Sequence, residues 1–137
     1  DSSLMPSAIW ELLRWDSPVQ LNVRAALRDV EILGESVGYG QIYTVLQGSG
    51  NRDEAAYPVA DGLDVGRFVD RSTPPPLSFG WGPHHCLGAA LARAEGEIVF
   101  GGLLDRFASL ELLEAPSFRS SFTLRGLTSL NVACRSR

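Results

Sequence analysis

The sequence predicts an α+β fold, on three observations. Apolar residues recur at helical spacing near the start, at Ile9, Leu12 and Leu13, with Pro6 at the first turn. From Val19 the period switches to two, with Val19, Leu21 and Val23 on one face and Gln20, Asn22 and Arg24 on the other. A longer helical pattern follows Cys86 and gives way from Leu110 to short strands. The 137 residues have the length of one ordinary domain, and 45% apolar content is enough for a core. A net charge of −4 without a basic stripe argues against nucleic acid as a partner. No apolar run reaches the roughly 18 residues of a membrane span, so no membrane partner is expected.

Taken in order, Pro6 to Trp15 reads as a short amphipathic helix ended by Asp16, Ser17 and Pro18. Glu11 and Arg14, three apart, share a face; alone they would form a surface ion pair worth about 0.2–0.5 kcal/mol. Leu27 to Leu33 reads as a second strand, Gly34 and Glu35 as a tight turn, and Gln41 to Val45 as a third strand. Gly38-Tyr39-Gly40 between them predicts a loose turn. After the break at Gly48 to Gly50 comes Asn51-Arg52-Asp53, where Asn51 could cap a short helix. Tyr57 to Pro76, rich in proline, glycine and aspartate, has no period; so long a coil is usually functional or disordered.

Phe79 to Gly88 reads F-G-W-G-P-H-H-C-L-G and holds both histidines and one of the two cysteines. Placed just before a helical pattern, it is a loop built to present one sulfur. A thiolate suits a soft or redox-active metal, and it forms where local positive potential favours ionisation. With a helix expected from near Leu87, unpaired backbone N–H groups and the positive end of the helix dipole face Cys86. Gly80, Gly82 and Gly88 allow positive φ and close approach to a flat ligand, and Phe79 can cover the sulfur. Zinc would ask for four ligands, but there is no CxxC and the other cysteine, Cys134, is far away. Two cysteines without a secretion signal suggest a reducing, cytoplasmic setting, which disfavours a Cys86–Cys134 disulfide. Haem held by one axial thiolate fits, because it asks for a single cysteine on a shaped loop.

Phe79, Gly80, Gly82, His84, Cys86 and Gly88 match F-G-x-G-x-H-x-C-x-G, and the chain thereby resembles the cytochrome P-450 superfamily in its soluble bacterial form. The resemblance covers nearly the whole chain and corresponds to the C-terminal part of that mainly α-helical fold: short helix, small antiparallel sheet, meander, cysteine loop, long helix and C-terminal hairpin. The sequence opens at Asp1 without an initiator methionine. The expectation is that residues 1–137 are the C-terminal haem-binding portion of a single domain, with the oxygen-activating helix outside it.

The resemblance implies haem b (iron protoporphyrin IX) with Cys86 as its axial thiolate and His84 on a propionate. His85 falls at a variable position and reads as a partly exposed loop residue. Glu11 and Arg14 match the family's E-x-x-R, which implies a buried charge cluster supporting the haem-binding core. Arg24 falls where an arginine pairs with the other propionate; a solvated edge arginine is the plain alternative, with Arg28 close by. Asn51-Arg52-Asp53 matches the family's N-R-D. The usual F-P-D-P-D-R-F-D-x-x-R stands here as Tyr57 to Arg67, with Gly62 at the arginine that joins the E-x-x-R pair. Glu11 and Arg14 would then form a dyad, or Arg67 would reach in. Pro76 stands where a histidine is common.

Beyond the cysteine, Leu87, Leu91, Ala94 and Ile98 form a stripe expected to lie across the porphyrin or the core, with Ala89, Ala90 and Ala92 permitting close approach. Gly101-Gly102 should weaken the helix by about 1 kcal/mol each. Arg93 is expected to face outward, solvated or against a redox partner. Pro116 and Ser117 turn, and Phe122 to Leu130 carries a hairpin tip at Arg125-Gly126-Leu127. In the family a similar tip enters the substrate pocket, which makes Leu124 a possible substrate contact or, more plainly, a core residue. The activity implied is a haem-thiolate monooxygenase that inserts one oxygen atom of dioxygen into a small apolar substrate, with a ferredoxin or flavoprotein as electron donor. A non-catalytic haem-binding module, a peroxide-driven peroxygenase and a purely structural α+β domain remain as alternatives.

Overall fold

The computed structural model of the chain describes residues 2–70 and 72–137; Asp1 and Arg71 lie outside the described residues. After a 3₁₀ turn, Ser2–Leu4, helix α1 (Met5–Trp15) starts with Pro6 in its first turn, where a missing N–H costs no helical hydrogen bond. It ends at Asp16, whose amide donates to the Leu12 carbonyl at 3.0 Å. Its fully buried residues are Ser7, Ile9, Glu11 and Arg14, while Leu12 and Leu13 are half-buried. The inner face of α1 is therefore as polar as it is apolar.

Strand β1 (Asn22–Ala25) starts later than the alternation predicts, and Val19 makes only an isolated bridge to Leu124. A hairpin of β2 (Val30–Ile32) and β3 (Glu35–Val37) follows, then β4 (Ile42–Val45), which runs antiparallel to β1 with Arg24 opposite Tyr43. The second strand is thus confined to Val30–Ile32, Leu27 is exposed, and Glu35, expected in the turn, instead opens β3. The hairpin turn is Leu33-Gly34, with φ of 53° and 85°. Positive φ at both central residues matches the right-handed twist of short strands, and it forces Leu33 into a conformation that leucine rarely adopts. The Gly38-Tyr39-Gly40 turn is tied rather than loose. Asp29 Oδ1 accepts the Tyr39 amide at 2.7 Å and Gln41 Oε1 accepts the Gly38 amide at 2.9 Å.

A four-residue helix α2 (Gln47–Gly50) ends at Asn51. The expected helix opening at Asn51 is absent: Asn51 is a C-cap, and Asp53 turns the chain by accepting the Ala55 amide at 2.9 Å. No helix or strand then occurs among the described residues before a 3₁₀ turn at Leu77–Phe79. A second 3₁₀ turn, Gly82–His84, leads to the long helix α3 (Ala89–Arg106), which runs unbroken through Gly101 and Gly102.

β5 (Phe107–Leu112) leaves α3 directly. β6 (Ser117–Phe118) pairs with β7 (Leu127–Ser129), and β8 (Val132–Ser136) returns antiparallel to β5. The tip between β6 and β7 docks on the chain leaving α1: Arg125 N donates to Pro18 O at 2.8 Å, Gln20 N donates to Thr123 O at 2.9 Å, and Arg125 pairs with Asp16.

α3 lies on α1 through Ala89, Arg93 and Gly96, spaced four and three apart on one face. Ala89 is buried, Arg93 stacks on Trp10 with Cζ 4.3 Å from the ring centroid, and a Cβ on Gly96 would come within 3.2 Å of Ile9 methyl carbons. The predicted stripe of Leu87, Leu91, Ala94 and Ile98 is on the other side and exposed, so it does not face the core of the described residues. Likewise Val23, on the apolar face of β1, is 56% exposed whereas Asn22 and Arg24 are half-buried. The fully buried apolar residues, Ile9, Ala26, Tyr57, Ala60 and Ala89, are few and mostly small.

Candidate functional site

The cysteine loop is shaped by two glycines. Gly80 has φ 73° and ψ −167°, a region essentially closed to other residues, and Gly82 has φ 75°. The Gly80 amide donates to Leu77 O at 2.8 Å, the His85 amide to Gly82 O at 3.0 Å, and the Cys86 amide to Phe79 O at 2.9 Å. Gly88 differs from expectation: its φ is −84°, which any residue adopts, and it precedes α3, which starts at Ala89 rather than near Leu87. Cys86 and both histidines are exposed, and Leu87 beside the thiol is fully exposed. Phe79 is half-buried between the rings of Trp10, 6.2 Å away, and His85, 6.3 Å away. The two cysteines are free.

Beneath the loop is a buried polar hub. Arg14 grips Glu11 with two hydrogen bonds of 2.8 Å and spends its other N–H groups on the carbonyls of Asn51 and Ala60, both 2.8 Å, and Gly62, 3.1 Å. Each of its donors is therefore used, which a lysine could not reproduce. Its Cζ also lies 5.4 Å from the Tyr57 ring centroid. Gly62 supplies no side chain to the pair, and Arg67 reaches in instead. Its Nε is 3.1 Å from Glu11 Oε2, and its Nη1 donates to Pro58 O at 2.7 Å. The Asp64 amide completes the shell of Glu11 at 2.8 Å. Burial, the largest single influence, pushes the Glu11 carboxyl up, but Arg14, the Asp64 amide and Arg67 together outweigh it and hold the group below its ordinary value.

The hub is joined to the loop by Asn51, the first residue of the N-R-D match, and by Ser78 and Gln47, which carry no motif. Asn51, fully buried, accepts the Leu77 amide on Oδ1 at 2.7 Å and donates from Nδ2 to Ser78 Oγ at 3.0 Å. Ser78 donates to the Leu13 carbonyl at 2.6 Å. Gln47, also buried, donates to Leu77 O at 2.9 Å and accepts from Asn22 at 2.7 Å. In the sequence the N-R-D match singles out Asn51, but as a helix cap, and nothing marks Gln47 or Ser78.

The other expected site residues are dispersed. Arg24 lies on β1 with Nη1 donating to the Val23 carbonyl at 3.0 Å, and among the described residues it has no carboxylate partner. Leu124, 56% exposed, is at the docked tip opposite Val19. Arg93 is half-buried against Trp10 rather than projecting outward, and its Nε is buried without a hydrogen-bond partner. Among the described residues no helix is long and apolar enough to cross a membrane.

The sequence model of the family described as Cytochrome P450 matches residues 3–129. A Mycobacterium bovis protein carrying the name cytochrome P450 140 is 41% identical over 129 residues, which are 94% of this chain and 29% of that protein. A Xylella fastidiosa protein carrying the name cytochrome P450 133B2 is 43% identical over 132 residues, 95% of this chain and 32% of its own. The chain therefore spans less than a third of the length of these curated relatives. Among solved structures, P450BioI in complex with an acyl carrier protein ligated to hexadec-9Z-enoic acid superposes with a TM-score of 0.92 at 37% identity, covering 98% of this chain and 34% of that one. CYP108D1 from Novosphingobium aromaticivorans superposes with a TM-score of 0.90 at 34% identity, covering 100% of this chain and 32% of that one. A cysteine loop, a buried Glu-Arg pair beneath it and agreement along almost every residue lead to one conclusion: this chain belongs to the cytochrome P450 family.

Proposed function

We propose that these 137 residues are the C-terminal haem-binding portion of one cytochrome P450 domain, and that the whole enzyme is a monooxygenase inserting one oxygen atom of dioxygen into an apolar organic substrate. The observation that carries this reading is the exposed Cys86 on a loop braced from below, beside the exposed apolar side chains of Leu87 and Leu91. The donor set fits haem. Among the described residues no three His, Cys, Asp or Glu side chains come together as a metal site, whereas one sulfur next to bare apolar surface suits a flat group that takes one axial ligand. Held by the Cys86 thiolate, haem would supply the electron-rich redox chemistry that favours O–O cleavage.

In this reading Cys86 is the metal ligand. Gly80 and Gly82 bend the loop, Phe79 shields the sulfur, and Gly88 leaves the start of α3 free of a side chain. His84 and Arg24 hold the propionates; the guanidinium of Arg24, without a carboxylate of its own, can grip one with two hydrogen bonds. Glu11, Arg14 and Arg67 hold the meander under the loop. Leu124 at the docked tip contacts the substrate, and a ferredoxin or flavoprotein delivers the electrons.

The breadth of exposed apolar surface on α3 and β1 also favours a second statement, that these 137 residues alone bind haem without turnover. Carbon monoxide difference spectroscopy on the reduced, haem-loaded protein tests both. A thiolate-type Soret band that Cys86→Ser abolishes supports the ligand. A spectrum indifferent to Cys86→Ser removes it, and substrate turnover by the 137 residues alone overturns the second statement.

A further inference from the structure

We infer that Asn51 is a positioning residue of the cysteine loop, the side chain that links Arg14 of the buried ion-pair hub to the turn setting where Cys86 stands. The inference takes its catalytic meaning from the haem reading above, but its geometry does not depend on it.

Asn51 is fully buried and every polar atom it carries is engaged. Its amide donates to Gln47 O at 2.9 Å, which fixes it to the end of α2. Its carbonyl accepts from Arg14 Nη1 at 2.8 Å, which fixes it to the hub. Its side chain meets the first two residues of the turn that opens the loop, Leu77 through the amide and Ser78 through the hydroxyl. At the end of the same turn, the Phe79 carbonyl receives the Cys86 amide at 2.9 Å. A continuous series thus runs from Glu11 through Arg14, Asn51, Leu77 and Phe79 to the amide of the cysteine.

The chemistry at this position asks for asparagine. The Leu77 N–H can only donate, so it needs an acceptor, and that assigns Oδ1 to it. Ser78 uses its single hydroxyl proton on the Leu13 carbonyl at 2.6 Å, so toward residue 51, as toward the Ser17 hydroxyl 3.0 Å away, it can only accept. Aspartate would set acceptor against acceptor at Ser78, and an apolar residue would strand the Leu77 N–H, while the Ser78 hydroxyl would keep Leu13 and Ser17. Asn51 touches neither the sulfur nor a ligand, so its effect on chemistry is exerted through the loop.

The test is hydrogen exchange on the purified protein, which needs no haem, read together with the carbon monoxide spectrum of the haem-loaded form. Asn51→Ala is expected to speed exchange of the Gly80 and Cys86 amides by about tenfold, the consequence of losing two buried hydrogen bonds, while β5 and β8 amides stay unchanged. The thiolate-type fraction of the spectrum should fall with it. If Asn51→Ala does not fold, Ser78→Ala carries the test, with exchange at least about tenfold faster expected at the same two amides because the hydroxyl loses its bonds with Asn51, Leu13 and Ser17 together. A rise shared equally with β5 and β8, or none at Gly80 and Cys86, overturns the inference. If exchange rises locally but Cys86→Ser leaves the haem spectrum unchanged, the haem reading fails and the positioning role of Asn51 stands.

Discussion

The hub under the cysteine loop and the outer face of α3 are built on opposite rules. In the hub, Glu11, Arg14 and Asn51 are 0–1% exposed, and their polar groups are matched donor to acceptor across α1, α2, the meander and the loop. On α3, Leu91, Ile98, Val99, Phe100 and Leu104 are left exposed by the described residues. Each side chain of that kind is worth about 1.5–3 kcal/mol when fully buried. A buried ion pair, by contrast, roughly breaks even against its desolvation, and becomes costly only when one partner is removed. The hub therefore specifies geometry more than it adds stability, and it is complete within the chain. The α3 face is a reserve of hydrophobic free energy that a further layer would release. The packing of Ala89, Arg93 and Gly96 against α1 already fixes which way that face points.

The largest expected effect comes from breaking the hub. Glu11→Ala leaves Arg14 and Arg67 facing each other without their carboxylate, and a loss of about 3–5 kcal/mol is expected from urea unfolding. A loss below about 1 kcal/mol, the range of an exposed pair, would erase the distinction between the two regions.

Arg67 comes next. Its side chain is 8% exposed and it ties Pro58 to Glu11, so Arg67→Ala should cost about 1.5–3 kcal/mol, with Arg67→Lys recovering part of the loss. If the two variants unfold alike, the fork geometry of the guanidinium has no role.

Titration sharpens the same point. Because the folded-state carboxyl of Glu11 is held below its ordinary value, its contribution is fully present above the unfolded value of about 4.3 and is lost as pH falls through the lower folded one. The acid limb of a stability profile should therefore be shallower in Glu11→Gln than in the parent. Equal limbs would mean that Glu11 is not preferentially ionised by the fold.

The smallest effect belongs to the other region. Leu91→Gln and Ile98→Gln keep helix propensity and disturb no packing, so each should change the stability of the purified 137-residue chain by no more than about 0.5 kcal/mol. A loss of about 2 kcal/mol or more would show that the face is already covered.

Much of the site is legible in the sequence because its signals are local. The cysteine, both histidines and the two glycines of positive φ fall within one stretch of loop. The Glu11–Arg14 spacing puts both side chains on one helix face. Arg67 is one of two options that Gly62 leaves open, since spacing cannot say which of several cations arrives at a carboxylate. Asn51 reads as a cap for a helix that does not form. Its partners are 26 and 27 residues away, and no period in the sequence connects such positions. β3 escapes a reading by pattern because three residues are too few for an alternation to register. Leu91 and Ile98 do lie on one stripe of α3, but which way a stripe faces depends on what packs behind it.

By itself the sequence determined the features that near neighbours control: where helices can run, where glycine must bend the chain and which two charges share a face. These obey backbone sterics and side-chain spacing, which a few consecutive residues settle. Only the tertiary structure decided that Arg67 and Asn51 close the hub, that Gly96 admits Ile9, and that the apolar faces of α3 and β1 lie outside. Those outcomes depend on which distant segments meet, and that is a property of the path of the whole chain.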